Sequence, residues 1–266
     1  MKILLSLLTL FQSILIANEP INEIEIPIIM YHHIQENEDT LNEFMVTPEK
    51  FEKDISVIEK LEYTPISYKE LCDFVYSDAK LPSKPIIITF DDGYESNYIY
   101  AYPILKQFNM KAAIAVIGNM VGKDSYNGVP AFKHFTYSQA KEMYESGLIE
   151  IQTHTYDMHN ISKRVGIKKI DGEDVSEYKE LIKNDILKSS NELSENLGTD
   201  NFVFTYPFGA YDDLTEELIK ELGYKISVTT DPGTNVILRN IPETLYKLKR
   251  YDIKNDTDLE NLLNNI

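Results

Sequence analysis

From residue 26 onward the chain alternates short, almost wholly apolar runs with longer stretches whose apolar residues recur every three or four positions. The short runs, rich in β-branched side chains, have the pattern of strands buried on both faces, and the longer ones that of helices with one apolar face. Strands are predicted at 26–30, 85–90, 112–117, 148–153, 202–206, 225–229 and 248–253. Thr47-Pro48 supplies a capping hydroxyl and a first-turn proline for a helix that continues through Phe51, Ile55 and Ile58. Ser67 with Glu70, and Thr136 with Gln139, read as capping boxes opening two more helices, the second of which Gly147 can end in the left-handed conformation. Further helices are predicted at 96–108, 175–197 (stopped by Gly198) and 214–222. Such alternation predicts an α/β fold, a closed or partly open (β/α) barrel, with a doubly wound open sheet as the alternative. In both, chemistry belongs at the C-terminal ends of the strands.

The composition narrows the picture. The chain has 266 residues, 43% hydrophobic and 26% charged, enough for one large core, and no linker-like stretch or repeat divides it. A single domain over 18–266 is expected. Before it, Lys2 precedes an uncharged run over 3–17, too short to span a bilayer but suited to a signal peptide. Residues 1–17 are therefore read as an export signal or, if uncleaved, as an N-terminal anchor associating the protein with a membrane. Either way the mature protein is expected in the periplasm, at the cell envelope or secreted. Cys72 is the only cysteine, so no intrachain disulfide or cysteine-based zinc site exists, and its apolar neighbours suit a small buried side chain. The net charge of −17 excludes nucleic acid as a partner.

Two polar clusters follow predicted strands. Asp91-Asp92-Gly93 comes directly after Phe90; two adjacent carboxylates point different ways, so one can ligate a metal while the other holds a water. Thr153-His154-Thr155-Tyr156-Asp157-Met158-His159 places two imidazoles on a strand-to-loop turn. Two histidines and a carboxylate form a usual catalytic ligand set for zinc and related divalent ions. Read singly, the first cluster also fits a surface turn and the second an unliganded loop.

Together, these residues resemble known motifs. Ile88-Thr89-Phe90-Asp91-Asp92-Gly93-Tyr94 resembles the first signature of the polysaccharide deacetylases, carbohydrate esterase family 4. His154-Thr155 through His159 is similar to the second, and Tyr206-Pro207-Phe208-Gly209 to part of the third. The likeness runs from Pro27 through Tyr31-His32-His33 to about Gly233. It implies a distorted (β/α) barrel and metal-dependent removal of N-acetyl groups from an N-acetylhexosamine polysaccharide, either poly-N-acetylglucosamine or a peptidoglycan-like chain. It further implies Asp91 as general base, Asp92, His154 and His159 as ligands of zinc (cobalt or nickel as alternatives), and the Phe208 N–H as oxyanion donor. His32, His33 and Tyr206 are candidate substrate contacts, Tyr156 and Tyr211 candidate sugar-stacking rings, and His134 is read as structural. The Tyr-His-His element and the histidine spacing resemble the subgroup acting on poly-β-1,6-N-acetylglucosamine. Two departures stand out: Thr205 occupies the place where the family often has an arginine beside the base, and no histidine follows His159 to serve as the late general acid. Asp231 and a metal-bound water are the candidates for that acid. These departures motivate an alternative, a catalytically silent carbohydrate-binding relative. A different metal-dependent barrel hydrolase is a third reading. The residues fix neither the metal nor the oligomeric state.

Overall fold

The computed structural model describes residues 22–161 and 163–266, and the expected export segment, 1–17, lies outside them. Parallel strands β1 (Ile28–Tyr31), β2 (Pro85–Phe90), β3 (Ala112–Val116), β4 (Ile149–Thr153), β5 (Val203–Thr205), β6 (Ile226–Val228) and β7 (Tyr251–Asp252) run in the order β6-β5-β4-β3-β2-β1-β7. Leu248 bridges in parallel to Val228, so the segment carrying β7 touches β6 and β1 and closes the curl. This is a distorted (β/α) barrel, and the open-sheet alternative does not hold.

Helices α1 (Pro48–Lys60), α2 (Tyr68–Tyr76), α3 (Tyr102–Phe108), α4 (Tyr137–Glu145), α5 (Val175–Leu197), α6 (Asp213–Glu221) and α7 (Leu259–Asn264) accompany the strands. The capping signals act as the sequence predicts: Thr47, Ser67 and Thr136 each accept the N–H three residues on, and Gly198 ends α5 in the left-handed conformation. Side chains alternate between two buried clusters, as a pleated strand requires. Ile29, Ile88 and Ile114 pack in one with α1, α3 and α4. Ile28, Ile87 and Ala113 pack in the other with Leu71 and Val75 of α2. Glu150 of β4 accepts the Tyr68 and Lys69 N–H groups at 2.8 and 3.1 Å, fixing the start of α2.

Among the features that escape the period-based reading, three stand out. Residues 23–26 pair antiparallel with 235–238 instead of extending β1, a small hairpin joins Ser125–Tyr126 to Val129–Pro130, and α7 follows the last strand. All three are short or one-sided, so their periodicity is weak. The helix predicted at 96–108 is split into a wider turn at Asn97–Ala101 and α3. Cys72 is buried, as expected.

Candidate active site

Asp91 and Asp92 leave the end of β2 in opposite directions. Asp91 turns into the barrel, 2% exposed, and meets Arg250, which is 1% exposed. The guanidinium donates from Nη1 to Oδ1 and from Nη2 to Oδ2, both at 2.7 Å, while its Nε donates to the Thr229 carbonyl at 2.8 Å. Burial alone would raise the Asp91 pKa; Arg250 outweighs it and holds the carboxyl well below the usual range. This guanidinium comes from the last barrel segment, while the slot in the third motif is filled by Thr205, whose carbonyl accepts from His154 Nδ1 at 2.8 Å. Sequence reasoning passed over Arg250 because its motif place is different. The available signal was an arginine inside a predicted buried strand, which demands an anion.

Asp92 adopts φ 72°, turning its carboxylate toward the two histidines. His154 Nε2 lies 3.7 Å and His159 Nε2 3.3 Å from Asp92 Oδ1, and ligand atoms of all three residues fall within 4.8 Å of one another. Asp92 Oδ1 is buried with no hydrogen-bond partner, an arrangement that costs free energy unless a cation sits there. Burial drives the His154 pKa down to about 4, against the pull of Asp91, so the ring is neutral and its Nε2 lone pair free. The Thr205 carbonyl fixes that tautomer, the usual outer support of a metal-bound imidazole. Burial raises Asp92, yet its histidine neighbours, His159 foremost, outweigh it and keep the carboxyl low. This donor set fits a divalent ion.

The His154–His159 loop is held from outside. Asp185 of α5 accepts the Tyr156 and Asp157 N–H groups, both at 2.8 Å, and Thr155 adopts φ 71°, rare for a β-branched residue. On the opposite rim Phe208 also has positive φ, 58°, with its ring 4.3 Å from that of His159. Its turn closes through the Gly209 and Ala210 N–H groups, not through its own. Gly209 is required there: a Cβ would meet Thr230 Oγ1 at 2.1 Å.

A pocket of about 530 Å³ joins Asp91, Asp92, His154, His159, Phe208 and both early histidines. His32, just past β1, and Asp252, paired with Met30 in β7, both line this pocket; burial raises the Asp252 carboxyl, and its Oδ1 has no hydrogen-bond partner. His33 stacks on Phe132 with centroids 4.2 Å apart and bonds Ser96 Oγ through Nδ1 at 3.0 Å. Tyr206 is not brought to the pocket: it is fully buried with its hydroxyl donating to Glu216 at 2.6 Å. Nor is Asp231, an exposed residue that accepts from the Tyr211 hydroxyl. Tyr156 packs against the Lys188 ammonium, 3.7 Å from its ring centroid.

Residues 78–227, more than half of the chain, match the family model described as polysaccharide deacetylase. YxkH of Bacillus subtilis (strain 168), assigned by name to the polysaccharide deacetylases, is 31% identical over 209 residues, 79% of this chain. A poly-beta-1,6-N-acetyl-D-glucosamine N-deacetylase of Staphylococcus aureus (strain MRSA252) is 30% identical over 187 residues, 70% of this chain. The chain spans 66% and 61% of the lengths of these relatives. Among solved structures, the Streptococcus pyogenes deacetylase PplD in complex with acetate superposes with a TM-score of 0.72 at 26% identity, over 91% of this chain and 97% of that one. With the family model, the barrel and the paired carboxylate and histidine motifs in agreement, the chain belongs to the polysaccharide deacetylase family.

Proposed function

We propose that this protein is a metal-dependent N-deacetylase that hydrolyses acetamido groups of an N-acetylhexosamine polysaccharide. The observation that carries the reading is a buried, unsatisfied Asp92 oxygen facing two imidazole nitrogens, next to a second carboxylate held ionised by Arg250. Asp92, His154 and His159 hold the ion, zinc by preference for this ligand set, with cobalt or nickel acceptable. When bound, the ion supplies Lewis acidity, which polarises the acetyl carbonyl and makes water nucleophilic near neutral pH.

The chain's own groups do the rest. Asp91 accepts the proton of the attacking water. Arg250 fixes the plane of that carboxylate through both oxygens and keeps it charged before each turnover. Its low basicity would suffice once a bound ion lowers the pKa of the water. The Phe208 N–H donates to the oxyanion as the carbonyl carbon becomes tetrahedral. Collapse breaks the C–N bond, and the amine leaves with a proton from His32, whose imidazole shares the pocket with Asp91 and Asp252. His32 thus takes the part for which the sequence offers no late histidine. The products are acetate and a free amine.

Poly-β-1,6-N-acetylglucosamine is the preferred polymer, supported by the Staphylococcus aureus relative and the Tyr31-His32-His33 element. Residues 1–17 direct export, placing residues 18–266 as one catalytic domain outside the cytoplasm. Among the described residues no helix is long and apolar enough to cross a membrane. The silent-binder alternative loses its main support, since Arg250 stands beside Asp91 after all.

The test is acetate release from defined N-acetylglucosamine oligomers, β-1,6 and β-1,4 linked, with zinc, cobalt, nickel or a chelator. Release that needs metal and favours the β-1,6 oligomer is expected. Glycan binding without release in any metal would instead make the protein a silent binder.

A further inference from the structure

Just past the first signature, the side chains of Ser96 and Asn97 reach back to the Tyr31-His32-His33 element. Asn97 is fully buried, and its amide donates from Nδ2 to the His32 carbonyl at 2.8 Å. The orientation of that amide follows from chemistry, since a carbonyl only accepts. Asn97 Oδ1 has no partner, so the bond to His32 is the one its side chain makes. Beside it Ser96 Oγ accepts the Ile34 N–H at 3.1 Å and meets His33 Nδ1 at 3.0 Å. At the start of the same stretch the Asp91 N–H donates to the Tyr31 carbonyl at 3.0 Å. The backbone of Tyr31, His32 and Ile34 is thus tied, residue by residue, to the segment that carries the base.

Asn97 opens the wider turn at Asn97–Ala101, in which the Tyr102 N–H reaches back to the Asn97 carbonyl. Such π-type turns are frequent at functional sites. Burying an amide with its oxygen unsatisfied costs free energy, so the position is not one that packing alone would fill with asparagine. The His32 ring, for its part, has a loose side support. It lies edge-on to Phe44 with centroids 5.4 Å apart, and Phe44 is itself 50% exposed. The direction of the imidazole into the pocket is therefore set by the backbone beneath it.

We infer that Asn97, seconded by Ser96, is a positioning residue for proton delivery: through the His32 carbonyl it aims the imidazole at the leaving amine. Base and acid then hang on one stretch of chain, Asp91 directly and His32 through the Asn97 amide. The inference rests on the proposed role of His32 as the acid.

The test turns on the leaving group. An amine must gain a proton as the C–N bond breaks, whereas the nitrophenolate of 4-nitrophenyl acetate leaves without one. Turnover of an N-acetylglucosamine oligomer and of that ester is compared in zinc-loaded wild type, His32→Ala, Asn97→Leu and Ser96→Ala. Leucine keeps the branched outline of asparagine and removes the donor. Asn97→Leu should lower kcat on the glycan by about 10–100-fold, the effect of a small misplacement, with KM and zinc affinity within about twofold of wild type. On the ester its loss should stay within about threefold, because no proton is delivered there. His32→Ala should show the same bias more strongly. Ser96→Ala should show it more weakly, and it reads the tie where Asn97→Leu does not fold. Equal losses on glycan and ester, a matching loss of zinc affinity, or a rise in KM at unchanged kcat would overturn the inference. The split between kcat and KM is read on the glycan alone, so it decides even if the ester is not turned over. Wild-type glycan turnover by His32→Ala would overturn the role of His32 beneath the inference, and no acetate from the wild type would overturn the deacetylase reading itself.

Discussion

At the scale of single residues, Asp91 and Arg250 form a pair that neither can leave cheaply. Both are buried, and the guanidinium meets both carboxylate oxygens. Removing one charge strands the other in the barrel, a change that typically costs about 3–5 kcal/mol. Asp91→Asn should therefore do two things at once. Turnover should fall by roughly 10²–10⁴, the usual worth of a positioned general base, while zinc affinity stays close to that of the wild type. Thermal unfolding should show a loss of about 3 kcal/mol that Asp91→Asn combined with Arg250→Met partly restores, because the double variant leaves no orphaned charge. An Asp91→Asn protein that unfolds like the wild type would argue against the pair. The same pair has a pH signature. The folded Asp91 pKa is depressed, so its contribution is complete above the unfolded carboxyl value of about 3.9 and drains away as pH falls below it. The stability advantage of the wild type over Asp91→Asn should thus be constant from pH 7 to about 5 and shrink toward pH 3 in melting curves.

At the scale of elements, what was legible in the sequence was whatever repeats or caps. β2 runs Pro85–Phe90 as predicted, from its unbroken β-branched run, and α5 ends at Leu197 as predicted, because Gly198 marks its stop. The two polar clusters were legible because each follows a predicted strand, whereas the choice of Asp92 with His154 and His159 as the ligand set came from the likeness to the family motifs. What was not legible depends on backbone conformation and on distant partners. The positive φ of Thr155 and Phe208 has no sequence signal, since neither is a residue type that favours it. Arg250 reaches Asp91 across 159 residues, a distance no local pattern encodes. Asp185 belongs to the same class: from within α5 it receives the Tyr156 and Asp157 N–H groups and so sets the loop between the two histidine ligands. Its substitution should act on the ion rather than on the reaction. Asp185→Ala is expected to weaken zinc binding by about 10–100-fold, as loss of an outer support commonly does, with kcat at saturating zinc little changed. A chelator competition assay measures the first and saturation kinetics the second. Unchanged affinity would show that the strained Thr155 turn holds its shape without α5.

At the scale of the whole molecule, the site is also a clasp. Asp92 follows β2 and the two histidines follow β4, strands separated by β3, so an ion held by all three would tie together loops from both sides of an intervening strand. Without it, the buried Asp92 oxygen faces two imidazoles and has no hydrogen-bond partner of its own. Metal binding must then stabilise the folded barrel by mass action, about 2.7 kcal/mol at a free metal concentration one hundred times Kd. For a single domain of this size that is a rise of several degrees in Tm. Titrating zinc into chelator-treated protein should raise Tm progressively, following the logarithm of free zinc once the site is filled. His159→Ala should abolish the response while leaving the chelator-treated Tm nearly unchanged, because that ring is partly exposed and belongs to the loop rather than to the core. Arg250→Lys should show the opposite pattern: a lowered Tm in chelator, from loss of the bidentate contact inside the barrel, but a zinc response of nearly full size. If both variants lost the response together, the ion site and the barrel interior would be one cooperative unit. Separate behaviour means that the fold is held by its interior, including the pair that readies the base, and that the ion is added to a mouth already in shape.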